Sequence, residues 1–91
     1  MELEETLELK NKYGLHARAS TTLVAVTMKF RSQIHISRTE DSQEVDGKSI
    51  LGILTLGVEK GMSIRVRVRG DDADEALRAI RALVEANFHE D

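Results

Sequence analysis

Met62-Ser63-Ile64-Arg65-Val66-Arg67-Val68-Arg69 is the stretch that decides the fold. Met62, Ile64, Val66 and Val68 point one way, and Ser63, Arg65, Arg67 and Arg69 point the other. A strand with one apolar and one arginine-lined face belongs to an antiparallel sheet covered on one side and wet on the other. Cross-strand acidic partners are expected for Arg65, Arg67 and Arg69. Gly70-Asp71-Asp72 ends the alternation, and Asp72 followed by Glu75 reads as a capping box with Asp72 as the cap. A helix then buries Ala73, Ala76, Leu77, Ile80, Leu83 and Val84 and ends near Asn87.

Upstream, the apolar run Ile50-Leu51-Gly52-Ile53-Leu54-Thr55-Leu56 lies between Ser49 and Gly57. Ser is a good helix cap and Gly a good helix stop, so the spacing predicts a short helix, with a short strand as the competing reading. Helical spacing from Ile50 puts Ile53 and Leu56 in the core and leaves Leu51 and Leu54 exposed. Ile34 and Ile36 alternate with Gln33, His35 and Ser37 as a strand whose polar side is wet. Gln43 to Asp46 gives a weak signal for a hairpin partner. From Ala17 to about Lys29 the spacing of Ala19, Leu23, Val26 and Phe30 marks one face of a helix. Thr6 to Lys10 is a half-buried strand with Leu7 and Leu9 inward, and Asn11 to Gly14 is a loop.

The order is β-α-β-β-α-β-α. It predicts an α+β domain, a two-layer open-faced sandwich with three helices on one face of a four-stranded, mainly antiparallel sheet. With 91 residues the chain is expected to form one domain over 1–91. Hydrophobic residues make up 41 %, enough for a core, but aromatics are only 3 %, so an aliphatic core and no stacking platform for nucleic acid are expected. The net charge of −3 gives no basis for DNA or RNA binding either. The sequence has no cysteine, which removes disulfides, thiol chemistry and Cys-based zinc sites. No apolar run approaches the roughly 18 residues of a membrane span and no signal-peptide pattern is present, so a cytoplasmic protein is expected.

Of three histidines, His35 lies on the wet side of a strand and His89 in a C-terminal tail that reads as a frayed end. The three lack metal-site spacing, so no metal or cofactor is expected. His16 stands where the first helix begins. Unpartnered amides and the positive end of the helix dipole make such a place suited to phosphate. Arg18, two residues on, adds a guanidinium fork. A ring nucleophile, an anion-binding helix end and an arginine within one turn are the parts a phosphohistidine needs. An ordinary helix start with surface His and Arg is the plainer reading of the same residues.

Gly14-Leu15-His16-Ala17-Arg18 resembles the phosphorylation-site motif of the HPr family, the histidine-containing phosphocarriers of the bacterial phosphoenolpyruvate-dependent phosphotransferase system. Lys48 to Gly57 resembles that family's second signature, and length and element order agree. The resemblance implies that phosphorylated Enzyme I passes a phosphoryl group to Nδ1 of His16 and that a IIA-type domain takes it. It implies that Arg18 and the backbone amides of Ala17 and Arg18 hold the group. It assigns Ser49 to the serine modified by an HPr kinase/phosphorylase in part of the family. It assigns Ile50, Leu51 and Leu54 to an apolar docking patch. A freely diffusing monomer without independent turnover is expected.

The sequence departs from the family at Ala19, where Pro usually follows the site arginine. Basic residues that often flank the site are replaced by Ala25 and Met28, which leaves sugar uptake and a nitrogen-type regulatory branch both open. The main alternative is a small α+β domain that binds an anion or metabolite for regulation, without covalent phosphorylation. A phosphate hydrolase would need a positioned base or amide, and Asn11 is the only nearby candidate.

Overall fold

The computed structural model describes residues 1–90. In chain order it contains β1 (Glu2–Glu8), α1 (Ala17–Thr27), β2 (Gln33–Arg38), β3 (Val45–Asp46), α2 (Ile50–Thr55), β4 (Ser63–Arg69) and α3 (Ala73–Glu85), followed by a 3-10 turn at Asn87–His89. The four strands form one antiparallel sheet in the order β1-β4-β2-β3. The α+β sandwich expected from the alternation is therefore present, with β4 at its centre.

Ile64, Val66 and Val68 of β4 are fully buried and lie in register with Leu7, Glu5 and Leu3 of β1. On the other side Val66 and Val68 lie opposite Ile36 and Ile34 of β2, both buried. Six residues of α3 close this layer, the same Ala73, Ala76, Leu77, Ile80, Leu83 and Val84 that the periodicity selects. Glu5 is a charged residue on the covered face, and Arg81 of α3 meets it through both carboxylate oxygens, at 2.6 to 3.0 Å. That bidentate bond, against a smaller cost of burial, holds the Glu5 carboxyl below its ordinary range.

On the wet face Arg65 and Arg67 have the expected acidic partners. Arg65 reaches Glu4, and Arg67 reaches Glu2 and Glu44. Strand β1 starts at Glu2 and not at Thr6, and there Leu3 lies opposite Val68 against the core while Glu2 and Glu4 meet these arginines. The residues before Thr6 carry little apolar alternation of their own, and pairing with β4 draws them into the sheet. Leu9 and Lys10 fall outside the strand, although Leu9 is buried as expected. Alternation also fails at Ser37, which is buried on the nominally wet side.

Helix α1 stops at Thr27, short of Lys29, and its buried face is Ala19, Ser20, Leu23 and Thr27. Val26 and Phe30 sit at the edge of the core instead. Thr27 can be buried because its hydroxyl donates to the carbonyl of Gly47 at 2.8 Å. The capping box at Asp72 does not form. Asp72 occupies the cap position of α3, but its carboxylate accepts from the backbone N–H groups of Arg31 and Ser32 and from the Ser32 hydroxyl. The Ser32 hydroxyl bond first, then the Arg31 amide, lowers the Asp72 pKa. The side chain thus ties the α1–β2 connection to the start of α3, a tertiary partner that outcompetes the local one.

Ser49 does cap α2, accepting from the Gly52 N–H at 3.0 Å. Gly57 follows with φ 63°, the left-handed stop expected there. The helical reading of this stretch therefore holds over the strand reading.

Candidate functional site

The loop before α1 is built around Asn11 and Gly14. Asn11 is buried, and its Nδ2 donates to the Gly14 carbonyl at 2.8 Å while its own carbonyl accepts from the Gly14 N–H at 3.3 Å. Gly14 has φ 61°, and a Cβ there would lie 2.3 Å from the carbonyl oxygen of Val58. Only glycine lets the chain pass so close. The next amide, that of the buried Leu15, donates to the same Val58 oxygen at 2.9 Å. His16 is thus held from both sides, by Leu15 behind it and by the helix ahead.

His16 is the N-cap of α1, with extended backbone and no side-chain capping bond. Its carbonyl accepts the first helical bond, from the Ser20 N–H at 2.9 Å. The amides of Ala17, Arg18 and Ala19 come before that bond and have no intrahelical acceptor. Ala19, in place of the family's usual Pro, thereby supplies an N–H that Pro would lack, and α1 forms without Pro because Ala is a strong helix former that packs here with no exposure. Arg18 is exposed on the same turn. Tyr13 stands edge-on to the His16 ring with centroids 5.8 Å apart.

One site residue escapes the sequence reading. Glu90 places Oε2 2.6 Å from His16 Nε2, and its Oε1 accepts from Asn11 Nδ2 at 3.1 Å. Burial disfavours the ionised carboxyl, yet the bonds from Asn11 and His16 and the charges of His16 and Arg18 outweigh it and hold the pKa below the ordinary value. The tail is therefore not frayed through Glu90. Asn87, Phe88 and His89 have φ of 54°, 57° and 60°, one left-handed turn of non-glycine residues. Such a turn costs about 1–2 kcal/mol per residue. Phe88, 3 % exposed, offsets part of this by burial, a contribution of about 1.5–3 kcal/mol. Asn87, of a residue type that tolerates this region, was the one local signal available.

Ser49 is half-buried under its capping role. Ile50, Leu51 and Leu54 are exposed by 37 %, 75 % and 36 %, while Ile53 and Leu56 are buried. They lie on α2, which packs beside α1, the helix that begins at His16. His35 is half-exposed opposite Arg67 on the far side of the sheet, remote from this group. Among the described residues no group of three or more metal-ligating side chains comes together.

A sequence model described as "PTS HPr component phosphorylation site" matches residues 3–86. The chain belongs to the HPr family. It is 43 % identical over 89 residues to phosphocarrier protein HPr of Xylella fastidiosa, covering 98 % of both chains. It is 42 % identical over 88 residues to phosphocarrier protein NPr of Shewanella violacea, covering 97 % of this chain and 94 % of that one. Among solved structures, HPr of Thermoanaerobacter tengcongensis superposes with a TM-score of 0.92 at 43 % identity and 98 % coverage of both chains. This HPr-family chain is a phosphocarrier of the phosphotransferase system, and such a carrier works between phosphotransfer partners such as Enzyme I. Nothing in these likenesses favours a metabolite-binding domain without a covalent adduct.

Proposed function

We propose that His16 is the phosphoryl acceptor, taking the group on Nδ1 from phosphorylated Enzyme I and passing it to a IIA-type domain. The observation that carries this is the placement of the ring at the start of α1, next to amides that precede the first helical bond. Those of Ala17 and Arg18 hold phosphoryl oxygens, and the Arg18 guanidinium offsets their charge. The chain acts as one HPr-like domain over 1–91, a cytoplasmic monomer that presents one face to successive partners. Incubation with phosphoenolpyruvate and catalytic Enzyme I should add one acid-labile phosphoryl group by intact mass. No gain, with Enzyme I verified as active, overturns the reading.

Ile50, Leu51 and Leu54 form the docking patch for these partners, since apolar side chains left in water beside the reactive helix suit a transient contact. Leu51→Asp should slow phosphorylation by Enzyme I about tenfold, the scale of one interface anchor. Its melting temperature should stay near wild type, because Leu51 is 75 % exposed. Unchanged transfer kinetics would remove Leu51 from the interface.

Ser49 is proposed as the site of an HPr kinase/phosphorylase. A phosphate there would sit at the positive end of α2, where it is electrostatically tolerated, although it would disturb the bond to the Gly52 N–H. Peptide mass spectrometry after treatment with a cognate kinase and ATP should locate the modification on Ser49. A kinase active on its own substrate that leaves Ser49 bare sinks the assignment.

A further inference from the structure

The Glu90 carboxylate meets the His16 ring at Nε2, and the side chain is only 13 % exposed. Oε1 is held by Asn11, so the carboxylate is fixed at both oxygens. The backbone that brings it there is the left-handed turn locked by the buried Phe88. A carboxylate has only lone pairs to offer, so Nε2 must supply the proton of this bond. We propose that Glu90 is a positioning residue for phosphoryl transfer: it holds His16 as the Nε2–H tautomer and leaves Nδ1 as the one ring nitrogen with a free lone pair.

This rests on the reading of His16 as acceptor and adds how the ring is prepared. The step balances without a base. The Nδ1 lone pair forms the new bond to phosphorus, and the bond from phosphorus to the phosphorylated donor breaks, its electron pair leaving with the donor atom. No proton leaves His16, because Nε2 keeps its hydrogen throughout. The His16 ring takes on positive charge as the bond forms, and the Glu90 carboxylate faces that charge from Nε2. Transfer onward to the acceptor reverses the sequence. Asn11 contributes by fixing the carboxylate and not by touching the ring.

The test uses the full chain, wild type, Glu90→Ala and Glu90→Gln, without and with phosphoenolpyruvate and Enzyme I. Long-range nitrogen–proton correlation spectra of the unphosphorylated protein report which ring nitrogen bears the proton. Wild type should be the Nε2–H form. Glu90→Ala should become a tautomer mixture and be phosphorylated about tenfold more slowly, in the range seen when a partner that orients a histidine is lost. Glu90→Gln keeps an oxygen acceptor, so it should retain Nε2–H and recover part of the rate. A wild-type ring protonated at Nδ1, or an alanine variant unchanged in tautomer or in rate, overturns the proposal. A wild-type Nε2–H spectrum with no phosphorylation by active Enzyme I overturns the His16 reading instead, so the two failures are told apart.

Discussion

His16→Ala should leave a folded protein that gains no phosphoryl group from phosphoenolpyruvate and Enzyme I. The fold does not depend on the ring. His16 makes no side-chain capping bond, and its structural contribution to α1 is a backbone carbonyl that alanine also provides. The substitution removes the bond to Glu90 and the edge contact with Tyr13, both at a partly exposed site, so a melting point within a few degrees of wild type is expected. The chemistry is lost outright, because neither of the other histidines has these surroundings. His35 stands on the opposite face of the sheet, and His89 is an exposed residue of the left-handed turn. Intact mass in neutral and acidic buffer is the readout. An acid-labile adduct that persists on His16→Ala would move the site to one of those two.

Gly14→Ala should cost both stability and transfer rate. The substitution carries two separate penalties. The backbone at φ 61° is one that side chains other than glycine resist, a cost of about 1–3 kcal/mol. The added Cβ would lie 2.3 Å from the Val58 carbonyl oxygen and 2.7 Å from Glu59 Cα, both backbone atoms that cannot rotate away. Forcing an extra carbon into a packed contact adds about 1–3 kcal/mol. A combined loss of at least about 2 kcal/mol in a domain of this size lowers the melting temperature by roughly 8 °C or more. The segment can only yield by moving away from Val58, which lengthens the Leu15 N–H bond to that oxygen and shifts His16 with it. Slower phosphorylation by Enzyme I should accompany the thermal shift. A variant as stable and as fast as wild type would mean that the close approach constrains nothing.

These two positions also mark the boundary between what local sequence carries and what it does not. Strand β4, the buried face of α3, the Ser49 cap and the Gly57 stop were all legible, because each depends on spacing within one or two turns. The motif around His16 was legible in the same way, as a helix start with an arginine in its first turn. Leu51 and Leu54 could be assigned to the surface by their phase relative to Ile53. Gly14 could be read only as a loop residue. That it must be glycine depends on Val58, which lies on a different segment and is brought near by the sheet.

The positions that local spacing misread or passed over share one cause. Asp72 had a local partner available through its own helix, and chose the Arg31 and Ser32 amides across the fold. Thr27 is polar and yet buried, because Gly47 presents a carbonyl to its hydroxyl. The start of β1 follows its pairing with β4, which brings Leu3 against the core opposite Val68. Glu90 is the furthest case, 74 residues from the histidine it meets. By itself the sequence determined the order of elements and their inward faces, and it singled out the residue proposed to carry a phosphoryl group, since periodicity and capping act over a few residues. Tertiary structure alone decided that a carboxylate holds Nε2, because that contact requires the left-handed turn, and the turn is held only once Phe88 has a core in which to be buried.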